Sequence, residues 1–314
     1  MRKYLLSLCL YALLVLNLSA QDHYIAKSFT SSSGQSVDYR ELTPENLIKG
    51  KKYPLIIFMH GAGERGSDNC SQLLHGSQMF LNPVNRAEYP SYVIFPQCPK
   101  DKYWSLSQRP NIKTEKLKAD KEPTMLVKAL KELIDSYLEN PSVDNSRVYI
   151  MGLSMGAIAT FDMVWRYPEI FAAAIPICGA ADTEKIIHIK GVKWRIYHGD
   201  ADNAVPVECS RDAYKALKSV GADVEYFEFP GCKHVSWYLA FNQPDFMDWL
   251  YSQRKEEADI EHVCFYLLIT SDELNNHYLF QRFFEKSNTF RGLSLRHTPS
   301  GSLRTGVKIR QIHE

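Results

Sequence analysis

The sequence predicts an α/β fold, in which a mostly parallel central sheet is covered by helices on both faces. A continuous apolar run from Leu55 to Met59 is typical of a strand that is buried on both sides. Five further strand-like runs alternate with helix-like stretches at the spacing of strand–helix–strand units. One of these runs leads straight into a helix-like stretch through Gly152-Leu153-Ser154-Met155-Gly156, a pattern that predicts a sharp strand-to-helix turn.

Composition and the amino terminus indicate one large core and an export signal. The chain has 314 residues, of which 45% are hydrophobic, and 37 basic residues oppose 36 acidic ones. A net charge near zero offers no general attraction to nucleic acid, so we expect no nucleic-acid partner. The basic start Met1-Arg2-Lys3, the apolar stretch from Tyr4 to Leu18 and the small residues Ser19-Ala20 predict a signal peptide, residues 1–20, that is cleaved before Gln21. A membrane anchor is the alternative, but a span needs ~20 apolar residues, so we expect a secreted or periplasmic protein without stable membrane insertion.

The other elements follow in chain order. Residues Asp22 to Glu41 alternate in polarity and turn at Ser31-Ser32-Ser33-Gly34, which predicts an antiparallel hairpin at one edge of the sheet. After the central strand, the predicted strands are Tyr92 to Phe95, Val148 to Met151, Ala172 to Ile177, Lys193 to Tyr197 and Val224 to Phe229. The predicted helices are Thr124 to Glu139, Met155 to Tyr167, Val207 to Val220 and Tyr238 to Gln253. We therefore predict a domain over residues 21–254 and a C-terminal extension, residues 255–314, which has no clear place in the fold.

Cysteine spacing leaves two alternatives open. Six cysteines follow the predicted signal peptide, and none of them forms a C-x-x-C pair, so a zinc site is not indicated. A disulfide between Cys209 and Cys232 is one interpretation, because an exported protein can form disulfides. Buried free thiols are the other interpretation.

Ser154 is the candidate nucleophile, since the strained turn exposes its hydroxyl above the edge of the sheet. A serine hydroxyl is unreactive until a base takes its proton and a third group holds that base in the right tautomer. The loops after the last two predicted strands supply both groups, because active groups of such sheets lie beyond the carboxyl ends of the strands. His234 is the predicted base. Asp202 is the predicted acid, with Asp200 as its rival and as the more typical loop carboxylate.

The loop after the central strand supplies the second half of an oxyanion hole. Its glycines, in the run from His60 to Gly66, allow the backbone N–H of Ala62 to face a substrate, while the N–H of Met155 faces the same space. The loop lacks the G-x-x-x-x-G-K-[ST] pattern of a phosphate-binding loop. We expect buried hydrogen-bonding roles for His60 and His198. We expect a structural role for Glu64 and Arg65, which either pair with each other or hold the loop in place.

Several separated motifs agree in order and spacing with one family. They are Phe58 to Asn69, Phe95-Pro96-Gln97-Cys98-Pro99 with Trp104-Ser105, the pentapeptide around Ser154, Asp202, and His234-Val235-Ser236-Trp237. From about Tyr24 to Arg254 the chain resembles the α/β-hydrolase esterases related to phospholipase/carboxylesterase and dienelactone hydrolase. More narrowly, it resembles the secreted "predicted peptidase" group, which is close to feruloyl and acetylxylan esterases of the first carbohydrate esterase family.

The resemblance implies a carboxylic-ester hydrolase with a Ser154-His234-Asp202 triad, an oxyanion hole at Ala62 and Met155, and no metal or organic cofactor. It also implies that Trp104 and Trp237 lie near the substrate, for which core packing is the alternative. A serine peptidase and a catalytically inactive binding protein are the competing hypotheses. The absence of a repeat of propeller-blade length argues against the first of these, and the intact triad argues against the second.

Overall fold

The computed structural model describes residues 23–255. The predicted signal peptide and the predicted C-terminal extension after Lys255, with Cys264, lie outside the described residues. The strands are β1 (Ile25–Thr30), β2 (Ser36–Leu42), β3 (Tyr53–Met59), β4 (Tyr92–Pro96), β5 (Val143–Leu153), β6 (Ala173–Ile177), β7 (Lys193–Gly199) and β8 (Val224–Phe229). The α-helices of this part of the chain are α1 (Ser77–Leu81), α2 (Pro83–Glu88), α3 (Met125–Leu138), α4 (Met155–Arg166), α5 (Thr183–Ile186), α6 (Glu208–Ser219), α7 (Trp237–Phe241) and α8 (Phe246–Ser252).

The strands form a single eight-stranded sheet in the order β1-β2-β4-β3-β5-β6-β7-β8. β1 pairs antiparallel with β2, and β2 pairs antiparallel with β4. All other neighbours are parallel. The predicted edge hairpin and the mostly parallel sheet are both confirmed. Because the parallel strands point the same way, the loops after β3, β5, β7 and β8 meet at one edge of the sheet.

β3 shows why the sheet needs helices on both faces. All seven of its residues are buried, and successive side chains point to opposite sides. Leu55, Ile57 and Met59 belong to a core that includes side chains of α3, α4 and α6. Ile56 and Phe58 belong to a second core that includes side chains of α1, α7 and α8.

The predicted helix from Tyr238 to Gln253 is wrong as a single element. The chain instead forms α7 and α8, which are separated by Asn242 to Asp245. Pro244 lies in this gap, where it lacks a backbone N–H and disfavours helical geometry in the residue before it. The break allows Phe246 and Leu250 of α8 to pack separately against the second core.

β5 also begins earlier in the chain than the apolar pattern predicts, at Val143 and not at Val148. Residues Asp144 to Ser146 are polar, yet the strand begins at Val143, which pairs with Tyr53 of β3. A register shift between Tyr53 and Leu55 accommodates this extra pairing. The polar residues thus lie in an irregular part of the strand between the paired residues Val143 and Val148, where hydrophobicity gives no signal.

Helix α4 approaches β3 so closely that only glycine fits at Gly156. A Cβ atom at this position would lie 1.9 Å from the carbonyl oxygen of Met59. Real Cβ atoms do not approach backbone this closely, so either the helix or the strand would have to move. The second glycine of the pentapeptide is thus required by the contact between helix and strand.

We expect Gly156→Ala to destabilise the domain strongly for this reason. Overpacking a tight contact costs about 1–3 kcal/mol, and for a domain of this size the Tm falls by about 2–4 °C for each kcal/mol. Thermal unfolding monitored by circular dichroism measures the change. Gly63→Ala is the matched control, because a Cβ atom there meets nothing within 4 Å. Equal Tm values for the two variants would contradict the steric argument.

Cysteine pairing and membrane spans can be assessed for the described part of the chain. Cys209 and Cys232 are both free thiols, as are Cys98 and Cys178, so the Cys209–Cys232 disulfide is not formed. No helix within residues 23–255 has the length and apolar character needed to cross a membrane.

Candidate active site

Ser154 occupies the single residue between β5 and α4. Its backbone has φ 53° and ψ −116°, a left-handed conformation that is costly for a residue with a side chain. The Ser154 N–H donates to the Ile177 carbonyl at 2.9 Å, which ties the turn to β6. A Cβ atom on Gly152 would lie 2.4 Å from the Gly156 carbonyl oxygen. The surrounding structure therefore holds the turn in a strained form that projects the hydroxyl away from the sheet.

The three predicted triad residues form one hydrogen-bonded row. His234 Nε2 lies 2.9 Å from Ser154 Oγ. His234 Nδ1 lies 2.6 Å from Asp202 Oδ2. Ser154 follows β5, Asp202 follows β7 and His234 follows β8, so three separate loops bring the row together. This is the geometry in which an imidazole can take the proton of a serine hydroxyl while a carboxylate orients it.

The Asp202 carboxylate is saturated with hydrogen bonds. Its Oδ1 accepts from the backbone N–H of Ala204 at 2.8 Å and of Val205 at 3.0 Å. Burial by itself would raise the pKa of Asp202, but hydrogen bonds from His198, His234 and these two amides outweigh it and hold the pKa below its usual range. The acid therefore stays ionised at neutral pH and offers its charge to His234.

Asp200 has a different role from Asp202. It is exposed, and its Oδ1 accepts from the backbone N–H of Gly231 at 2.6 Å. This bond joins the loop after β7 to the loop after β8. Asp200 is therefore a loop carboxylate that bonds to backbone, whereas Asp202 forms the hydrogen bond with His234.

His60 performs the buried hydrogen-bonding role that the sequence suggests. Its Nε2 accepts from the Cys98 N–H at 3.0 Å, and its Nδ1 lies 2.6 Å from the Gly61 carbonyl oxygen. Burial lowers the pKa of His60 to about 4, so the ring is neutral at pH 7. His198 also bonds locally, but its contact with Asp202 was not foreseen from the sequence. The spacing H-x-x-x-D is visible in the chain, yet it does not reveal which way the ring turns.

The predicted oxyanion donors lie at the starts of two helical segments. The N–H of Met155 is the first of α4, and the N–H of Ala62 is the first of a short 3₁₀ turn, Ala62–Glu64. Such first amides have no intrahelical acceptor and carry the positive end of the helix dipole. Among residues 23–255, neither amide is paired with a backbone acceptor outside its helix. Both are therefore suited to donate to a negative oxygen, and their assignment remains a prediction.

The loop that carries Ala62 is held from several sides. Arg65 Nε donates to the Ala62 carbonyl at 2.9 Å, and its guanidinium lies 4.7 Å from the ring centroid of Tyr103. Glu64 faces two histidines and not Arg65: its carboxylate lies 3.6 Å from His75 Nε2 and 4.0 Å from His60 Nδ1. Burial raises the pKa of Glu64. Arg65 therefore holds the loop down as expected, whereas a Glu64–Arg65 pair is not formed.

The two tryptophans predicted near the substrate differ in position. Trp104 is 0% exposed, and its Nε1–H donates to the His60 carbonyl at 3.1 Å. This burial fits the alternative of core packing, and the predicted substrate role of Trp104 stays a prediction. Trp237 lies 5.8 Å from the His234 ring, centroid to centroid, and is 8% exposed, so its substrate role stays a prediction.

An apolar surface begins one residue after the base. Val235, Tyr238 and Leu239 are 47%, 49% and 44% exposed, and their spacing places them on one face of α7 and of the turn before it. Leu74 is also 44% exposed, and the neighbouring His75 lies 3.4 Å from the Tyr238 hydroxyl. Exposed apolar side chains thus follow His234 directly in the chain.

The strand order, the strained serine turn and the loop positions of acid and base define a protein of the α/β-hydrolase class. More particularly, the sequence pattern of the phospholipase/carboxylesterase family matches residues 48–245, more than half of the chain. The chain therefore belongs to the phospholipase/carboxylesterase family. The resemblance found in its motifs is confirmed.

Three known proteins show how far the similarity extends. A thermostable esterase of known crystal structure is 34% identical, with a TM-score of 0.68 over 74% of this chain and 64% of that one. A CE1 ferulic acid esterase from Anaeromyces mucronatus is 16% identical, with a TM-score of 0.54 over 73% of this chain and 90% of that one, a level that shows the fold alone. Poly(3-hydroxyalkanoate) depolymerase C from Paucimonas lemoignei is 47% identical over 51 residues, which are 16% of this chain and 12% of the depolymerase. The chain thus spans under two thirds of the esterase and only a small part of the depolymerase.

Proposed function

We propose that the protein is a secreted serine hydrolase of carboxylic esters, which acts through an acyl-enzyme on acyl groups linked to carbohydrates or on similar small esters. The observation that carries the proposal is the row of hydrogen bonds from Ser154 through His234 to Asp202. Membership of the phospholipase/carboxylesterase family supports the same reaction. The export proposal rests on the amino-terminal sequence, and the exported protein should begin at Gln21 when its amino terminus is sequenced.

The proposed first half-reaction forms the acyl-enzyme. Ser154 Oγ attacks the ester carbonyl carbon while His234 Nε2 takes the hydroxyl proton. The resulting oxyanion accepts hydrogen bonds from the amides of Ala62 and Met155, and each such donor is worth about 10²–10³ in turnover. The carbon–oxygen bond to the alcohol then breaks, and His234 returns the proton to the leaving alkoxide.

Water completes the proposed cycle. It attacks the acyl carbon while His234 takes one of its protons, and the bond to Ser154 Oγ breaks as that proton returns to the serine. The carboxylic acid leaves and the triad is restored. Throughout both halves the ionised Asp202 stabilises the imidazolium form of His234.

The surroundings of the triad support uncharged substrates. The exposed apolar side chains of Val235, Tyr238, Leu239 and Leu74 offer contact area to an acyl chain, an aromatic ring or a sugar face. The sequence resemblance to feruloyl and acetylxylan esterases favours an acyl group attached to a polysaccharide.

We expect the purified mature protein to hydrolyse nitrophenyl acetate and butyrate and to release acetate or ferulate from arabinoxylan. A peptide panel should remain intact in the same assays, since the family to which the chain belongs is one of carboxylesterases. An emulsion of poly(3-hydroxyalkanoate) tests the similarity to the depolymerase. Cleavage of peptides without cleavage of any ester would replace the esterase proposal by the peptidase one.

A further inference from the structure

His198 is a buried imidazole that lies directly behind the acid. It stands near the end of β7, and its side chain is 0% exposed. Its Nε2 lies 3.2 Å from Asp202 Oδ2 and 3.1 Å from the Val205 carbonyl oxygen. Its Nδ1 lies 2.7 Å from Ser210 Oγ on α6. Both ring nitrogens therefore have polar partners, and neither nitrogen is in contact with solvent.

The partners of His198 identify its tautomer. A carboxylate and a backbone carbonyl face Nε2, and both groups only accept hydrogen bonds, so Nε2 carries a hydrogen. Nδ1 is then free to accept the hydroxyl hydrogen of Ser210, whose other neighbour, the Gly179 carbonyl, is more distant at 3.3 Å. In this tautomer the Nε2–H group donates to the Val205 carbonyl, and Nε2 also lies 3.2 Å from the same Asp202 oxygen that His234 uses.

This second N–H completes the fixation of Asp202. The backbone amides of Ala204 and Val205 hold Oδ1, while the two imidazoles share Oδ2. Without the contact from His198, only the two amides at Oδ1 and His234 itself would hold the carboxylate. It could then rotate and move Oδ2 out of the plane of the His234 ring. A small misplacement of a catalytic group costs up to about a hundredfold in rate.

We propose that His198 is a positioning residue of this site, which orients Asp202 through its Nε2–H and thereby keeps His234 aligned with Ser154. Ser210 bonds to Nδ1 and holds the ring of His198 in place, so the chain of contacts runs from α6 to the nucleophile. This inference rests on the proposed function, because it assigns the triad the roles given above.

The test compares a variant that removes the N–H group with one that replaces it. His198→Leu keeps a buried side chain of similar size but has no donor, and we expect kcat to fall about 10- to 100-fold while KM changes less than about twofold. His198→Gln places an amide N–H near the former Nε2, and we expect kcat to recover to within about threefold of the unaltered protein. Ser210→Ala removes one neutral hydrogen bond, and we expect a loss of about two- to fivefold.

Two further measurements separate positioning from general damage. The rate at which a fluorophosphonate modifies Ser154 reports the same alignment without an ester substrate, since Ser154 Oγ bonds to phosphorus, fluoride leaves and His234 takes the proton. Ser77→Ala is the stability control, because it removes a buried hydroxyl bond of 2.6 Å to the Leu73 carbonyl, outside the active site. It should alter neither kcat nor the modification rate. If His198→Leu does not fold, the Ser210→Ala and His198→Gln results still test the proposal.

The outcomes are distinct for the two proposals. A folded His198→Leu protein with unaltered kcat and modification rate would overturn the positioning role, and so would equal losses in His198→Leu and His198→Gln. Ester hydrolysis that survives in Ser154→Ala would instead overturn the proposed function. A protein that cleaves no ester but still reacts at Ser154, more slowly in His198→Leu than in His198→Gln, would support the positioning role alone.

Discussion

Ser154→Ala should abolish ester hydrolysis while leaving the fold intact. Removing the nucleophile of a serine hydrolase lowers kcat by about 10⁴–10⁶, because the remaining oxyanion hole and substrate binding provide only a small residual rate. The change removes a single hydroxyl group and its 2.9 Å contact with His234. Since alanine keeps a Cβ atom at φ 53°, the backbone strain of the turn is nearly unchanged.

The measurement is kcat for nitrophenyl butyrate together with the Tm and the covalent reaction with a fluorophosphonate. We expect no covalent adduct in the variant and a free energy of unfolding within about 1 kcal/mol of the unaltered protein. Ser219→Ala is the matched control, because the Ser219 hydroxyl bonds only locally to the Ala216 carbonyl at the end of α6. It should leave activity unchanged. Equal rates in Ser154→Ala and Ser219→Ala would exclude a serine mechanism at this site.

The parts of the fold that could be predicted from sequence are those in which burial or a tight backbone contact restricts the residue type. The run from Leu55 to Met59 is apolar because helices cover the sheet on both sides, so it gives a clear strand signal. The glycines that flank Ser154 are required by contacts of 2.4 Å and 1.9 Å between backbone atoms and a hypothetical Cβ, so a five-residue pattern predicts a turn. The polar residues near the start of β5 give no such signal, because they lie in a register shift where Asp144 bonds locally to the Ser146 N–H.

The sequence predicts which loops carry the residues of the site. It does not predict how the side chains of these loops pack against one another. Parallel strands bring Ser154, Asp202 and His234 to one edge, and the chain order of such sites identifies them. Whether Trp104 faces the cleft or the interior depends on how a loop of more than twenty residues folds over the sheet. Whether His198 turns toward Asp202 depends on side-chain rotation. Neither property repeats along the chain, so no periodic pattern encodes it.

Asp202→Asn should lower kcat by about 10⁴-fold, the second of the largest effects expected here. The asparagine amide is nearly the same size but carries no charge, so it cannot stabilise the imidazolium that His234 becomes when Ser154 attacks. If the amide NH₂ group faces Nδ1, it also forces the hydrogen of the ring onto Nε2. A base with that hydrogen points a donor at Ser154 Oγ and cannot accept the serine proton.

Asp200→Asn is the matched control for this prediction, because it makes the same chemical change two residues earlier in the same loop. The Asp200 side chain accepts a hydrogen bond from the Gly231 N–H at 2.6 Å, and the carbonyl oxygen of asparagine can accept that bond as well. We therefore expect kcat of Asp200→Asn within about threefold of the unaltered protein, measured on the same ester over the same pH range. If Asp200→Asn were the inactive variant and Asp202→Asn the active one, the acid would be Asp200, and the hydrogen bond between His234 and Asp202 would have no part in catalysis.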